Sequence, residues 1–233
     1  MLFRSPLMFL DLKLGNICNL KCRICGSWSS SQFATEELNN LSANVDKKTS
    51  FHYTMLKQGA WPRENPVFWK EIAEVADQIR YIEFTGGEPF MIREHFQMLQ
   101  GLVDRGIASQ VEIHYNTNGT HFPLEALQVW RDFRQVNVSF SIDGVGDQFE
   151  FMRYPAKWNE VDSNMEKFLE IGKEFGNINF SWCITLSVAN IYNVPETLDY
   201  YYKKYANQNR VKVKLHRKIK LICIAYLTIC IIL

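Results

Sequence analysis

Three cysteines crowd into eight residues of this chain: Cys18, Cys22 and Cys25, in the run Leu14-Gly15-Asn16-Ile17-Cys18-Asn19-Leu20-Lys21-Cys22-Arg23-Ile24-Cys25-Gly26. Thiols this close suggest a metal site more than a disulfide framework. Three thiolates can hold three irons of a cubane cluster and leave the fourth iron open to a ligand, whereas a pure electron carrier usually has four cysteines. Zinc is the rival, and it wants four ligands, commonly in two pairs. No second pair and no spaced histidine pair follows the triplet. Inert thiols are the third alternative.

Further along stand other groups able to meet a ligand. In Thr85-Gly86-Gly87-Glu88-Pro89 the paired glycines let the backbone approach a ligand closely, and Glu88 adds a carboxylate. The same residues also suit a plain turn. Tyr115-Asn116-Thr117-Asn118-Gly119 ends in a strong turn signal at Asn118 and Gly119, while Asn116 belongs to the polar side of a strand end. In Ser139-Phe140-Ser141-Ile142-Asp143-Gly144, Ser141 and Asp143 alternate onto one polar face and suit sugar hydroxyls. Asp143 suits a helix cap equally well. Arg153 reads either as a ligand-facing cation or as a surface residue.

Strand-like runs immediately precede these motifs, at residues 8–14, 81–85, 111–117, 136–142 and 178–186. Helical patterns fall at 66–79, 93–105, 124–133 and 161–175, with Asn65 as N-cap of the first and Gly106 and Gly176 as stops. The segment 26–65 is polar and weakly periodic, which suggests one helix and a long loop. Alternation of strand and helix predicts parallel strands with crossover helices. Within each strand apolar and polar residues alternate: Leu10, Leu12 and Leu14 oppose Asp11 and Lys13, and Val136, Val138 and Phe140 oppose Asn137, Ser139 and Ser141. A sheet buried on both faces reads as continuous apolar runs. The expectation is therefore a curved parallel sheet with helices outside and a polar interior, or an open sheet with one face in water. Glu112 and His114, with Asp11, Lys13 and Glu83, predict a paired charge network at the closed end of that interior.

The CxxxCxxC spacing after a strand resembles the radical S-adenosylmethionine (radical SAM) superfamily. The wider run from Asn16 to Gln32 looks like its twitch-domain-containing subgroup, and the likeness extends over about residues 10–195. The resemblance implies an α/β fold, a partial (β/α)6 TIM-like barrel. It implies a [4Fe-4S] cluster on Cys18, Cys22 and Cys25 and bound S-adenosyl-L-methionine. It assigns Gly86, Gly87, Glu88 and Pro89 to the methionine amino group, and Asn116, Ser141 and Asp143 to the polar cofactor site with the ribose at Ser141 or Asp143. Arg153 falls to the carboxylate. The residue before the third cysteine is often aromatic in the family and helps place the adenine; here it is Ile24. The implied reaction is reductive cleavage of S-adenosylmethionine to a 5′-deoxyadenosyl radical, which abstracts hydrogen from a peptide or small molecule. An electron donor such as flavodoxin or ferredoxin is implied too. A non-catalytic iron–sulfur module and a zinc-binding interaction module stay open beside this reading.

The length of 233 residues suits one large domain, or one domain with a short appendage. Apolar residues make up 47%, enough for a sizeable core, and a formal charge of +1 gives no reason to expect nucleic acid or stable membrane insertion. The N-terminal residues read as a strand and not as a signal peptide, so a cytoplasmic protein is expected. Residues 1–207 form the expected core domain, and 208–233 a basic then apolar tail. There Val211, Val213 and Leu215 alternate as a possible sixth strand. The run 221–233 is short for a membrane span and reads as a truncated or frame-shifted end. Cys223 and Cys230 lack a cluster-like context, and Cys183 reads as a small buried residue.

Overall fold

The computed structural model describes residues 7–206, 214–216 and 227–232. Five strands, β1 (Phe9–Lys13), β2 (Tyr81–Thr85), β3 (Glu112–Thr117), β4 (Gln135–Ser141) and β5 (Ile178–Leu186), lie side by side in chain order, all parallel. Parallel neighbours need crossover connections. These run through α1 (Ser31–Asn39), α2 (Phe51–Gly59), α3 (Trp61–Glu64), α4 (Pro66–Val75), α5 (Arg93–Asp104), α6 (Leu124–Leu127), α7 (Gly146–Met152) and α8 (Trp158–Phe175), and α9 (Val194–Tyr201) follows β5. The fold is thus α/β, a partial TIM-like barrel. Asn65 caps α4 by accepting the Phe68 N–H at 3.1 Å, and α8 stops at Gly176 with φ 78°. Both ends match the expected punctuation.

The alternation in the strands has a direct structural outcome. Leu12, Phe84, Tyr115, Val138 and Phe180 run across the sheet in register and are all buried. α5 lays Phe96, Met98, Leu99 and Leu102 against this face, and α8 adds Trp158, Val161, Met165 and Phe168. Rings fill the gap: Phe90 stands 5.1 Å from Tyr115, 5.9 Å from Trp130 and 5.7 Å from Phe168. Burial lowers His95 to a pKa of about 3, so it sits there neutral, its ring 3.1 Å from the Tyr115 hydroxyl.

The opposite face is a hydrogen-bonded lattice. Asn137 donates to Glu112 at 2.8 Å and accepts from Asn179 at 3.1 Å, and Glu112 pairs with Arg134 at 2.9 Å. A second row joins His114, Ser139 and Ser181 at 3.1 and 2.6 Å. The expected network of paired charges exists only in part. Asp11 and Lys13 are exposed, because β1 is the edge of the sheet and its charges reach water.

The tail departs from the expected order. Lys214–His216 is a strand, β6, but its neighbour is Leu227–Ile232, β7, and both pairings of β7, with β5 and with β6, are antiparallel. The apolar run takes the place beside β5 that the sixth parallel strand was expected to fill. Val211, Val213 and Cys223 lie outside the described residues. Segment 26–65 holds α1, α2 and α3 instead of one helix and a long loop. α1 and α2 each bury a single residue, Ala34 and Gly59, so the sequence carries little periodic signal there. Among the described residues no helix is long and apolar enough to cross a membrane.

Candidate functional site

The cysteine loop leaves β1 at the C-terminal rim of the sheet, where βα sites collect. Two neighbouring turns hold it. The Leu14 N–H donates to Thr85 at 2.8 Å, and the N–H groups of Gly87 and Glu88 donate to the carbonyls of Gly15 and Ile17 at 3.1 and 2.8 Å. The glycine at 87 is required by this approach: a Cβ would lie 2.2 Å from the Ile17 carbonyl oxygen. The paired glycines thus fit the turn against the cysteine loop itself. Asn16, buried at 2% exposure, ties the loop to α2 by donating to the carbonyls of Ser27 at 2.7 Å and Met55 at 3.1 Å. On the far side, Lys21 and Arg23 donate backbone N–H groups to the carbonyls of Tyr154 at 2.6 Å and Met152 at 2.8 Å.

Cys18 and Cys22 are buried and Cys25 is half-buried. Burial pushes the Cys18 thiol up to about 11, against the Leu20 N–H that donates to its sulfur at 3.4 Å. Cys22 and Cys25 share a hydrogen bond. It raises Cys22, with burial adding to the rise, and lowers Cys25, so Cys25 releases its proton first. Two side chains aim donors at the sulfurs: Asn118 Nδ2 lies 3.8 Å from Cys18 Sγ, and Arg153 Nη1 lies 3.8 Å from Cys22 Sγ.

Glu88 is 1% exposed and turned into the protein. Its oxygens accept from the Thr117 hydroxyl and the Asn118 N–H, both at 2.7 Å, and from the Phe90 N–H at 3.2 Å. Burial raises its pKa to about 7, although those donors favour the charged form. Asn116 is half-buried and donates to Glu83 at 3.4 Å. Ser141 is half-buried at the end of β4, opposite Cys183 in register. Cys183 is itself half-buried on the polar face, not sunk in the core. Ile24 is half-buried against the core.

Asp143 stands apart from the sugar-facing position read from the alternation. β4 ends at Ser141, so the two-residue period stops before it reaches Asp143. The carboxylate is 1% exposed, accepts the Thr185 N–H at 2.8 Å and pairs with Arg153 at 2.7 Å. It caps no helix, since α7 begins after Val145 without a side-chain cap. Arg153 is 6% exposed, so it is no surface residue. Burial disfavours its charge, but Asp143 and the thiols of Cys22, Cys25 and Cys183 hold it protonated. Among the described residues its Nε has no hydrogen-bond partner. Asn118 and Asn190 were not legible as site residues. Asn118 reads as a turn, yet its amide reaches a cysteine. Asn190, buried at 1% exposure, donates to the backbone carbonyls of Asp143 and Thr185, both at 3.0 Å.

Among the described residues no three His, Cys, Asp or Glu side chains converge on a point where one metal ion would sit. In a cubane cluster each thiol holds a different iron. Two buried sulfurs, Cys18 facing a backbone N–H and the Asn118 amide and Cys22 facing the Arg153 guanidinium, fit ligation of such a cluster.

A thiol-rich loop on the rim of a partial parallel barrel is the site that this α/β fold presents. The chain belongs to the radical SAM superfamily, whose family model matches residues 12–188. The superfamily implies a [4Fe-4S] cluster and S-adenosylmethionine. Among solved structures the chain is similar to hexahistidine-tagged anSMEcpe with bound AdoMet, with a TM-score of 0.54 and 22% identity over 86% of this chain and 48% of that one. It is similar also to native anSMEcpe with bound AdoMet and Kp18Cys peptide, with a TM-score of 0.54 and 19% identity over 86% of this chain and 49% of that one. The chain therefore spans about half the length of these structures. No curated protein matches it significantly.

Proposed function

We propose that the chain is a radical SAM enzyme whose cluster is held by Cys18, Cys22 and Cys25. The observation that carries this reading is the gathering of three thiols on the β1 loop, directly against the Gly86–Gly87 turn. When bound, the cluster and S-adenosylmethionine supply one-electron cleavage of the cofactor and hydrogen-atom abstraction from the substrate. The protein binds, orients and shields. The N–H groups of Gly87 and Glu88 are engaged by the cysteine loop, so this turn offers the cofactor's amino group carbonyl oxygens, which an ammonium requires. Ser141 and Asn116 offer polar groups to the ribose, and Ile24 an apolar surface to the adenine. Arg153 Nε, buried and without a partner among the described residues, suits the carboxylate. Glu88 and Asp143 act as supports, since their carboxylates are turned inward.

The substrate is proposed to be a peptide or a small molecule lying over the polar rows of β3, β4 and β5. The Kp18Cys peptide bound by a structurally similar protein favours the peptide. A small flavodoxin- or ferredoxin-like donor would supply the electron, and a cytoplasmic setting suits clustered free thiols. Kinship to twitch-containing members rests on the run from Asn16 to Gln32.

Anaerobic reconstitution with iron and sulfide tests the reading. The expected result is about four irons per chain, then release of 5′-deoxyadenosine on reduction with S-adenosylmethionine. A chain that carries the cluster but releases no 5′-deoxyadenosine is an inert iron–sulfur module. A chain that takes zinc and no cluster overturns the assignment.

A further inference from the structure

Arg153 is brought to the cysteine loop by backbone pairing. The carbonyls on either side of it, from Met152 and Tyr154, accept the N–H groups of Arg23 and Lys21, which flank Cys22. Arg153 and Cys22 thus face one another across a short paired stretch, with Nη1 at 3.8 Å from the sulfur. The other arm of the guanidinium meets Asp143 at 2.7 Å. Asp143 is fixed from below by the Thr185 N–H, and its own carbonyl by Asn190. Both charged side chains are buried, at 6% and 1% exposure. A buried ion pair is seldom worth its desolvation as a source of stability alone.

We propose that Asp143 is a positioning residue that holds the Arg153 guanidinium against the Cys22 sulfur, so that Arg153 raises the reduction potential of the cluster. This deepens the function proposed above and rests on it. Reduction adds a negative charge to the cluster, and a fixed cation beside one ligand favours the reduced form. Hydrogen bonds to cluster sulfurs and local charge set such potentials. Arg153 is suited to both tasks, because its fork can meet a carboxylate and a sulfur at once. In the family resemblance Asp143 stood beside the ribose; here its carboxylate is committed to Arg153.

The test is an EPR-monitored redox titration of the anaerobically reconstituted chain, with iron content and far-ultraviolet circular dichroism measured alongside. Arg153→Met should keep its irons and shift the midpoint to more negative potential, by on the order of tenfold in the reduced-to-oxidised ratio, or about 59 mV for one electron. Asp143→Asn should shift it in the same direction, because the guanidinium loses its anchor. Arg153→Lys should fall between Arg153→Met and wild type, since an ammonium keeps the charge but not the fork. An unchanged midpoint in Arg153→Met with irons retained overturns the proposal. A positive shift in Asp143→Asn means that the carboxylate acts only as a charge, and overturns the anchoring. If Arg153→Met does not fold, unshifted midpoints in the other two variants overturn it. A wild-type chain that takes up no iron brings down the proposed function, and this inference with it.

Discussion

The two flanks of the cysteine loop are held by different chemistry. On the Cys18 side the supports are neutral donors and a carboxyl that burial leaves about half-protonated at neutral pH: Asn118 faces the sulfur, and Glu88, with its pKa near 7, grips Thr117 and the Asn118 backbone. On the Cys22 side the support is a buried ion pair, Asp143 with Arg153. Both arrangements fix the loop, but only one leaves a permanent positive charge beside a sulfur. Hydrogen-bonded crosslinks suffice where the backbone must be held in register. A charge is placed where the proposed cluster would gain an electron.

The most severe way to break this division is to remove the sulfurs themselves. Alanine at Cys18, Cys22 or Cys25 should lower the iron content of the reconstituted chain from about four to below about one, and Cys183→Ala should leave it unchanged. An iron assay on the four variants decides it. Next comes Gly87→Ala. The added Cβ would meet backbone at the Ile17 carbonyl, which cannot swing aside as a flexible side chain would. A loss of about 3 kcal/mol in urea unfolding is expected, the upper part of the overpacking range. A much smaller loss would mean that the Cys18 flank yields more easily than its hydrogen bonds suggest.

How much of this was readable beforehand follows from burial. The five parallel strands were legible because each has one buried face, and the alternation marks it. The cysteine loop was legible from spacing alone. α1 and α2 escaped because helices that bury one residue each leave no apolar stripe. The antiparallel β7 escaped because a continuous apolar run carries no period to distinguish a strand from other buried structure. Asp143 was read on the sugar-facing side because the period was carried two residues past the end of β4. Arg153 was ambiguous for another reason. Its partners, Cys22 and Asp143, come from separate segments, and no local pattern announces such a meeting.

Glu88 sharpens the comparison through pH. An unfolded carboxyl titrates near 4.5, and in the folded chain burial lifts Glu88 to about 7. The folded state holds this proton more tightly, so the stabilisation is fully present below pH 4.5 and is lost as pH rises through 7. The shift corresponds to about 3 kcal/mol across that pH window. Glu88→Gln removes the titration, so the difference in stability between variant and wild type should change by that amount between pH 4.5 and 8, measured by urea unfolding. A constant difference across the range would mean that Glu88 stays charged throughout, and both flanks would then carry full charges.

Asn118→Ala is the finest probe. The Asn118 amide faces the Cys18 sulfur and also donates to Asn19 at 3.1 Å, and its carbonyl oxygen accepts the Thr120 N–H at 2.9 Å. Truncation should cost about 1 kcal/mol, the usual net worth of lost neutral hydrogen bonds. Its effect on the cluster midpoint should be smaller than that of Arg153→Met, since an amide dipole contributes less field at a sulfur than a full charge at a similar distance. The two midpoints, read in one titration series, compare the flanks directly. If Asn118→Ala moved the potential as far as Arg153→Met, the charge on the Cys22 side would confer nothing special, and hydrogen bonding to sulfur alone would set the potential.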